Sequence, residues 1–248
     1  MNHREYIKTV PGSDTAVLMI HGIAGTPDHF DDLLPLIPET WSVYNILLDG
    51  HGGTVAEFGR SSMEKWTTQV SARLEKLLAQ YRQVMIVAHS MGTLFAIQAA
   101  VRHPDRISGL FLLAVPLRPF VRLRTVAASV KLMLGIAGRD QTAMAMKNDS
   151  SVALEPGVWK YLSWIPRLVE LLREIRLTRR YLSRLTVPAI AVQSGCDELV
   201  SSCSCKDLEE NPCIKVIRMP NAGHFGYGTT DKAVLLAQFA GWIDKQRR

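Results

Sequence analysis

The stretch of this chain whose residue types and spacing best suit chemistry is Ala-His-Ser-Met-Gly, with Ser90 at its centre. It follows an apolar run over 84–87 that predicts a strand, and it precedes a run over 93–101 that predicts a helix. A sharp turn between a strand and a helix strains the backbone of the serine and exposes its hydroxyl. Residues two positions away on either side must then be small, as Ala88 and Gly92 are. The pattern predicts that Ser90 is a nucleophile.

A nucleophilic serine needs a general base, and the base is most often histidine. In chains with this kind of turn, the acid and then the histidine follow the serine along the sequence. Only His103 and His224 come after Ser90. His103 lies in a polar turn at the end of the predicted helix, so we expect it to be structural. His224 follows the last apolar run and reaches the same sheet edge as Ser90. We predict that it is the base, the alternative being a loop histidine without a role.

The acid that orients this histidine should end the preceding strand, which is the apolar run over 187–193. Two carboxylates follow that run, Asp197 and Glu198. Asp197 is nearer the end of the strand and is the favoured acid. Glu198 is the alternative acid. It could instead be a negative charge that stabilises the N-terminus of the next helix, without a role in the site.

A serine that attacks a carbonyl also needs two backbone N–H groups that face the developing negative charge. One of them should belong to Met91, at the positive end of the helix that follows Ser90. The second should come from the loop over 21–27, which follows the first long apolar run and contains two glycines. Glycines let a backbone approach a ligand closely. We predict that the N–H of Ile23 is the second donor, although the motif alone would indicate only a tight turn.

Elements that could position these residues alternate along the chain. Apolar runs predict strands at 16–20, 43–48, 84–88, 107–115, 187–193 and 214–219, and amphipathic patterns predict helices at 28–36, 63–81, 93–101, 201–210 and 231–245. Most of the strand runs are continuously apolar, as in a parallel sheet that is buried on both faces. The alternation predicts an α/β fold, with a mostly parallel central sheet flanked by helices.

The segment 117–184 breaks this alternation, because its pattern is helical throughout. It holds 13 Lys and Arg against five Asp and Glu, whereas the whole chain has a formal net charge of only +6. Inserted between two strands, the segment would lie over the carboxyl edge of the sheet, where ligands bind in such folds. We predict a core domain of 1–116 and 185–248 with a helical cap of 117–184. The basic excess is either a solvated face or a weak contact with an anionic substrate or lipid surface.

Composition limits the class of protein further. The chain of 248 residues fits one soluble domain, and it has neither a signal-peptide pattern nor an apolar run that could span a membrane. These observations predict a cytoplasmic protein. Four cysteines lie in the last third, at 196, 203, 205 and 213. Their spacing does not suit zinc, so we expect reduced thiols and no metal. Nucleic-acid motifs are absent.

The order of five motifs along the chain resembles that of the α/β-hydrolase superfamily. These motifs are His-Gly-x-x-Gly at 21–25, Asp-Gly-His-Gly at 49–52, the serine turn, the run 195–200 and Gly-His at 223–224. Within this superfamily, the chain is similar to small bacterial carboxylesterases and monoacylglycerol lipases with a helical cap. There are two departures: Ala88 stands where glycine is usual, and Ile23 stands where those esterases often carry an aromatic residue.

This resemblance implies ester hydrolysis by Ser90, His224 and Asp197, with Ile23 and Met91 as the oxyanion donors, and it implies no cofactor. The Ser90 nucleophile argues against haloalkane dehalogenases and epoxide hydrolases, which use aspartate. A thioesterase, another Ser-His-Asp hydrolase or a ligand-binding protein without turnover are the alternatives. The partner is a small ester, and the sequence does not fix an oligomeric state. Apolar cap residues should line a closed acyl pocket that prefers short- to medium-chain monoesters or monoglycerides: Leu132, Met133, Leu134, Met144 and Met146.

Overall fold

A seven-stranded sheet forms the centre of the protein. The computed structural model describes residues 3–224 and 226–247. Its strands are β1 (Tyr6–Lys8), β2 (Thr15–Ile20), β3 (Ser42–Ile46), β4 (Gln83–His89), β5 (Ile107–Leu113), β6 (Ala189–Ser194) and β7 (Ile214–Met219). They lie in the order β1-β3-β2-β4-β5-β6-β7, and only β1 runs antiparallel to its neighbour. The predicted α/β fold with a mostly parallel sheet is confirmed.

Helices flank this sheet. They are α1 (Val55–Arg60), α2 (Met63–Gln80), α3 (Met91–Arg102), α4 (Leu123–Leu134), α5 (Gln141–Asp149), α6 (Ile165–Leu182), α7 (Ser204–Glu209) and α8 (Thr229–Gln246). Short 3-10 helices occupy Pro27–Phe30, Leu34–Leu36 and Val158–Trp164. The segment 117–184 contributes α4, α5, the last 3-10 helix and α6, all between β5 and β6.

Hydrophobic cores on both faces of the sheet explain why its inner strands, such as β2, β4 and β5, are almost continuously apolar. On one face, side chains of α2 and α3 such as Trp66 and Phe95 pack on the strands. On the other face, Phe239 and Trp242 of α8 pack against Phe111 of β5, with ring centroids 5.0 and 5.4 Å apart. Burial on both sides leaves little tolerance for displacement of a strand. The carboxyl ends of β2, β4, β6 and β7 are therefore a rigid base for the loops that follow them.

One predicted helix differs from the structure, and two short elements, β1 and α1, were not predicted from the sequence. The helix expected at 28–36 is two short 3-10 helices, because Pro35 lacks an N–H and its ring obstructs a continuous helix. The exposed strand β1 has too few residues for a periodic pattern. Helix α1 was also not predicted, although its start carries a sequence signal. Thr54 and Glu57 form a capping box in which each side chain accepts from the other residue's backbone N–H.

The second half of the segment 117–184 is attached firmly to the sheet domain. The indole N–H of Trp164 donates to the carbonyl of Val55 over 3.0 Å, and Arg167 donates to the carbonyl of Gly59 over 2.8 Å. Glu170 accepts from the N–H of Met63 over 3.0 Å. These bonds fix the last 3-10 helix and α6 against α1 and α2, so this side of the segment is part of a rigid wall.

Candidate active site

Ser90 lies in a strained turn between the end of β4 and the start of α3. Its φ of +50° and ψ of −121° are a conformation that non-glycine residues rarely adopt. Hydrogen bonds fix the turn, because the N–H of Ser90 donates to the carbonyl of Leu113 over 2.8 Å. The carbonyl of Ser90 accepts from the N–H and the hydroxyl of Thr93, over 3.0 and 2.6 Å. These hydrogen bonds thus hold Ser90 in the strained backbone conformation that the sequence pattern indicated.

Glycines are required on both sides of this turn. A Cβ atom on Gly92 would lie 2.2 Å from the carbonyl oxygen of Ile20 and 2.8 Å from that of His21. A Cβ atom on Gly22 would lie 2.8 Å from the Cβ of Ser90. All three distances are shorter than van der Waals contact permits, so any larger residue would displace the backbone. The glycines therefore let α3 and the loop after β2 converge on Ser90.

Asp197 and His224 form a buried hydrogen-bonded pair at the same edge of the sheet. They follow β6 and β7, and Nδ1 of His224 lies 3.1 and 3.0 Å from the two carboxylate oxygens. The Oδ1 atom of Asp197 also accepts from the N–H groups of Leu199 and Val200, each over 2.8 Å. The carboxylate is thereby fixed, and Nδ1 carries the proton that it donates to Asp197. This tautomer leaves Nε2 of His224 as the basic nitrogen.

Glu198, the alternative acid, contacts the backbone of His224 and not its ring. Its Oε2 atom accepts from the N–H of His224 over 2.7 Å, and its Oε1 atom lies 3.3 Å from the guanidinium of Arg124 on α4. Gly223 leaves room for this carboxylate, because a Cβ there would lie 3.0 Å from Oε2. The two neighbouring carboxylates therefore differ in position. Asp197 orients the imidazole, whereas Glu198 holds the loop that carries it.

Two neutral histidines hold the loop that follows β2. The N–H of Leu48 donates to Nε2 of His21 over 3.0 Å, and the N–H of Ala24 donates to Nε2 of His51 over 3.1 Å. Burial lowers the pKa of His51 to about 4 and that of His21 well below its usual value. Both rings are therefore neutral near pH 7, which keeps their Nε2 atoms available as acceptors.

The two predicted backbone donors lie on either side of Ser90. Met91 is the first residue of α3, so its N–H has no acceptor within the helix. Ile23 lies in the loop after β2 and lines the same cavity as Ser90. Its neighbour Gly22 packs directly against Ser90, because a Cβ atom added to Gly22 would lie only 2.8 Å from the Cβ of Ser90. Both backbone positions thus border the serine.

Two further histidines lie beside His224, and the sequence reasoning missed both. The ring of His89 stacks on that of His29 with centroids 4.5 Å apart, and it lies 5.1 Å from the ring of His224. Burial lowers the pKa of His29 to about 4 and that of His89 well below its usual value. Neither ring adds a positive charge next to His224 near pH 7. The one available signal was that His89 directly precedes Ser90.

A cavity of about 230 Å³ joins these groups, since Ser90, His224 and Ile23 all line it. Its remaining walls are mainly apolar and come largely from the segment 117–184: Leu132, Met133, Met146, Leu154, Trp164 and Leu168. The expectation that Leu134 and Met144 would also line it was wrong. Both are exposed, because they lie on the solvent-facing sides of α4 and α5.

Over the described ranges 3–224 and 226–247, no three His, Cys, Asp or Glu side chains are grouped as metal ligands would be. The four cysteines are free thiols. None of the helices in these ranges has the length and apolarity that a membrane span requires. Three histidines, His29, His89 and His224, and one carboxylate, Asp149, line the cavity beside Ser90. Three further hydroxyl groups also line it: Ser129, Ser150 and Tyr161.

A parallel sheet with a strained serine after one strand, and an acid–histidine pair after two others, defines a class of α/β enzyme. The sequence profile of the alpha/beta hydrolase family matches residues 17–237. The chain therefore belongs to the alpha/beta hydrolase family.

Relatives in this family include esterases. Pimeloyl-[acyl-carrier protein] methyl ester esterases from two Neisseria meningitidis strains, of serogroups A and C, are each 33% identical to the chain over 115 residues. The match covers 46% of this chain and only 34% and 42% of those proteins.

Solved structures cover the whole fold at lower identity. A structure described under LipS and LipT, two metagenome-derived lipolytic enzymes, has a TM-score of 0.71 at 21% identity, with 98% of both chains covered. The Paleococcus ferrophilus monoacylglycerol lipase has a TM-score of 0.68 at 16% identity, again with 98% of both chains covered. At these identities the similarity concerns the fold.

Proposed function

We propose that this protein is a serine hydrolase that cleaves carboxylic esters through an acyl-enzyme on Ser90. The observation that carries the proposal is the Asp197–His224 pair, with Nδ1 3.0 Å from a fixed carboxylate, beside the cavity that the strained Ser90 also lines. The names of the similar proteins, which include methyl ester esterases and a monoacylglycerol lipase, support an ester as the bond that is cleaved.

In the first half of the reaction, Nε2 of His224 accepts the hydroxyl proton of Ser90 while Oγ bonds to the acyl carbon. Asp197 stabilises the resulting imidazolium through Nδ1–H. The N–H groups of Ile23 and Met91 stabilise the negative charge on the carbonyl oxygen. As the tetrahedral intermediate collapses, the bond to the alcohol oxygen breaks and His224 gives its proton to the departing alcohol.

In the second half, the neutral His224 accepts a proton from water while the water oxygen bonds to the acyl carbon. Collapse of this second intermediate breaks the bond to Ser90, and His224 returns the proton to Oγ. The carboxylic acid leaves and the enzyme is regenerated. The chain's own residues supply every proton transfer in this sequence.

The cavity indicates the size of the ester. Its volume of about 230 Å³ is below the range of roughly 300–1,000 Å³ that is usual for drug-sized ligands. We therefore assign the segment 117–184 as a cap that encloses one acyl chain, and we assign short- to medium-chain monoesters or monoglycerides as substrates. A triglyceride would need the cap to move far from the sheet domain. The hydrogen bonds between the second half of the cap and α1 and α2 restrict such a movement.

Steady-state hydrolysis of p-nitrophenyl butyrate by the wild type and by Ser90→Ala tests the proposed function. We expect many turnovers in the wild type and a loss on the order of 10⁶-fold in kcat in the variant. Ser202→Ala, at an exposed serine outside the cavity, is the matched control and should retain full activity. A folded Ser90→Ala protein with near wild-type turnover would refute the mechanism. Release of only one equivalent of nitrophenol by the wild type would instead indicate a ligand-binding protein.

A second experiment tests the enclosed acyl site with p-nitrophenyl esters of increasing chain length, a monoglyceride and emulsified triolein. We expect kcat/KM to fall once the acyl chain exceeds the cavity, and triolein to be a poor substrate. Efficient cleavage of triolein, with a sharp increase in rate above the solubility limit, would show that the cap opens at an interface.

A further inference from the structure

One carboxylate of the cap, Asp149, faces the cavity without a hydrogen-bond donor. Asp149 is the last residue of α5 and is half-buried among the lining side chains. In the part of the chain that the structure describes, no N–H or O–H group lies within hydrogen-bond distance of its carboxylate. Burial raises the pKa of Asp149 to about 6, against the opposing effect of His224, so the group is still ionised near neutral pH.

The other four acidic residues of the cap contrast with Asp149. Asp140 pairs with Lys131, Glu155 with Lys160, Glu170 with Arg167, and Glu174 accepts from Gln98. Each of these carboxylates therefore has a partner that compensates for its desolvation. Asp149 alone bears its charge beside apolar walls, which costs folding free energy unless a ligand supplies the missing donor.

The position of Asp149 is fixed by the residues that follow it. The N–H of Ser151 donates to the carbonyl of Ala24 over 2.9 Å, and the N–H of Ala153 donates to the carbonyl of Gly53 over 2.9 Å. These bonds attach the chain leaving α5 to the loop that carries Ile23. The carboxylate is therefore held next to the loop after β2 and within electrostatic range of His224.

We propose that Asp149 is a specificity-determining residue that accepts a hydrogen bond from a hydroxyl group on the alcohol portion of the ester. The inference rests on the proposed function, in which His224 protonates the departing alcohol. Asp149 lines the same cavity as His224 and lies within its electrostatic range, so we assign it to that part of the substrate. Because the Asp149 carboxylate is an acceptor without a donor, it favours an alcohol that carries another hydroxyl besides the one in the ester bond. It disfavours a purely alkyl alcohol and repels one that carries a carboxylate.

Two esters of nearly equal size isolate this interaction. 2-Hydroxyethyl butyrate and propyl butyrate differ by a hydroxyl in place of a methyl group. At pH 8 we expect wild-type kcat/KM to favour the hydroxyethyl ester by about 10- to 100-fold, the range for a hydrogen bond to a charged group. Asp149→Leu should abolish the preference. Asp149→Asn, which keeps an oxygen acceptor but not the charge, should retain part of it.

Glu155→Gln is the matched control, because it removes one negative charge from the cap at a surface ion pair. It should leave the preference unchanged. Replacing Asp149 should also raise the melting temperature at pH 8, since it removes an uncompensated charge. A merely structural carboxylate predicts the opposite, a lower melting temperature with an unchanged preference.

Binding separates this inference from the proposed function. The dissociation constants of both esters are measured with the Ser90→Ala protein and with the Ser90→Ala, Asp149→Leu double variant. Tighter binding of the hydroxyethyl ester that disappears in the double variant supports Asp149 even if turnover is absent. An equal preference in both proteins overturns the inference, while hydrolysis of p-nitrophenyl butyrate by the wild type would leave the proposed function intact.

Discussion

Acid should destabilise this protein through His51, whose neutral ring holds the loop after β2. Burial lowers the pKa of His51 from 6.5 to about 4. Between these values the unfolded chain binds a proton that the folded protein excludes, so stability falls as the pH falls. The contribution is complete above pH 6.5 and is lost progressively down to pH 4. For this shift the loss between pH 7 and pH 5 is about 2 kcal/mol.

The variant His51→Gln separates this effect from the other acid-sensitive groups. A glutamine oxygen can accept from the N–H of Ala24, as Nε2 does now, but it does not titrate. The variant should be less stable at pH 7, because the ring that contacts Phe58 and Trp66 is lost. Its free energy of unfolding should nevertheless fall by about 2 kcal/mol less than that of the wild type between pH 7 and pH 5.

Urea denaturation followed by tryptophan fluorescence at pH 7, 6 and 5 measures the difference. His103→Gln, at a more accessible histidine beside Glu75, is the control and should follow the wild type. If the wild type and His51→Gln lose stability in parallel, the protonation of His51 is not coupled to unfolding, and the assignment of a neutral ring would be wrong.

Three further predictions concern the site. Asp197→Asn should lower kcat by about 10⁴-fold, because the amide favours the wrong imidazole tautomer; a loss below tenfold in steady-state assays would contradict the role of this carboxylate. Gly92→Ala should destabilise the protein by about 1–3 kcal/mol, because its Cβ would clash with the carbonyl of Ile20; an unchanged melting temperature would show that the turn relaxes freely. Glu198→Gln should be mild, since it keeps an acceptor for the N–H of His224, whereas Glu198→Leu should cost about 1–3 kcal/mol; equal effects in thermal denaturation would indicate that the Arg124 ion pair dominates.

The sequence predicted the serine turn and the order of the site residues because strain restricts residue types. Only small residues fit around Ser90, so the requirement is visible in the local sequence. The continuously apolar runs predicted the parallel sheet for a similar reason, since burial on both faces excludes polar residues. Asp197 and His224 followed from their positions after predicted strands.

Other features depend on contacts between distant segments and left no local pattern. The stack of His29 on His89 joins two loops that only the folded sheet brings together. The exposure of Leu134 could not be predicted, because α4 carries apolar residues on its outer face as well, including Leu123 and Val130. The isolation of Asp149 is visible only once the partners of the other cap carboxylates are known.

The most direct test of the central claim is covalent labelling with a fluorophosphonate, followed by intact-mass and peptide mass spectrometry. The reagent forms a stable adduct with a serine that an adjacent base activates. We predict a single adduct per chain, located on Ser90, no adduct on the Ser90→Ala protein, and slow labelling of Asp197→Asn. An adduct on another serine, or equal labelling of the wild type and Ser90→Ala, would contradict the assignment of Ser90 as the nucleophile.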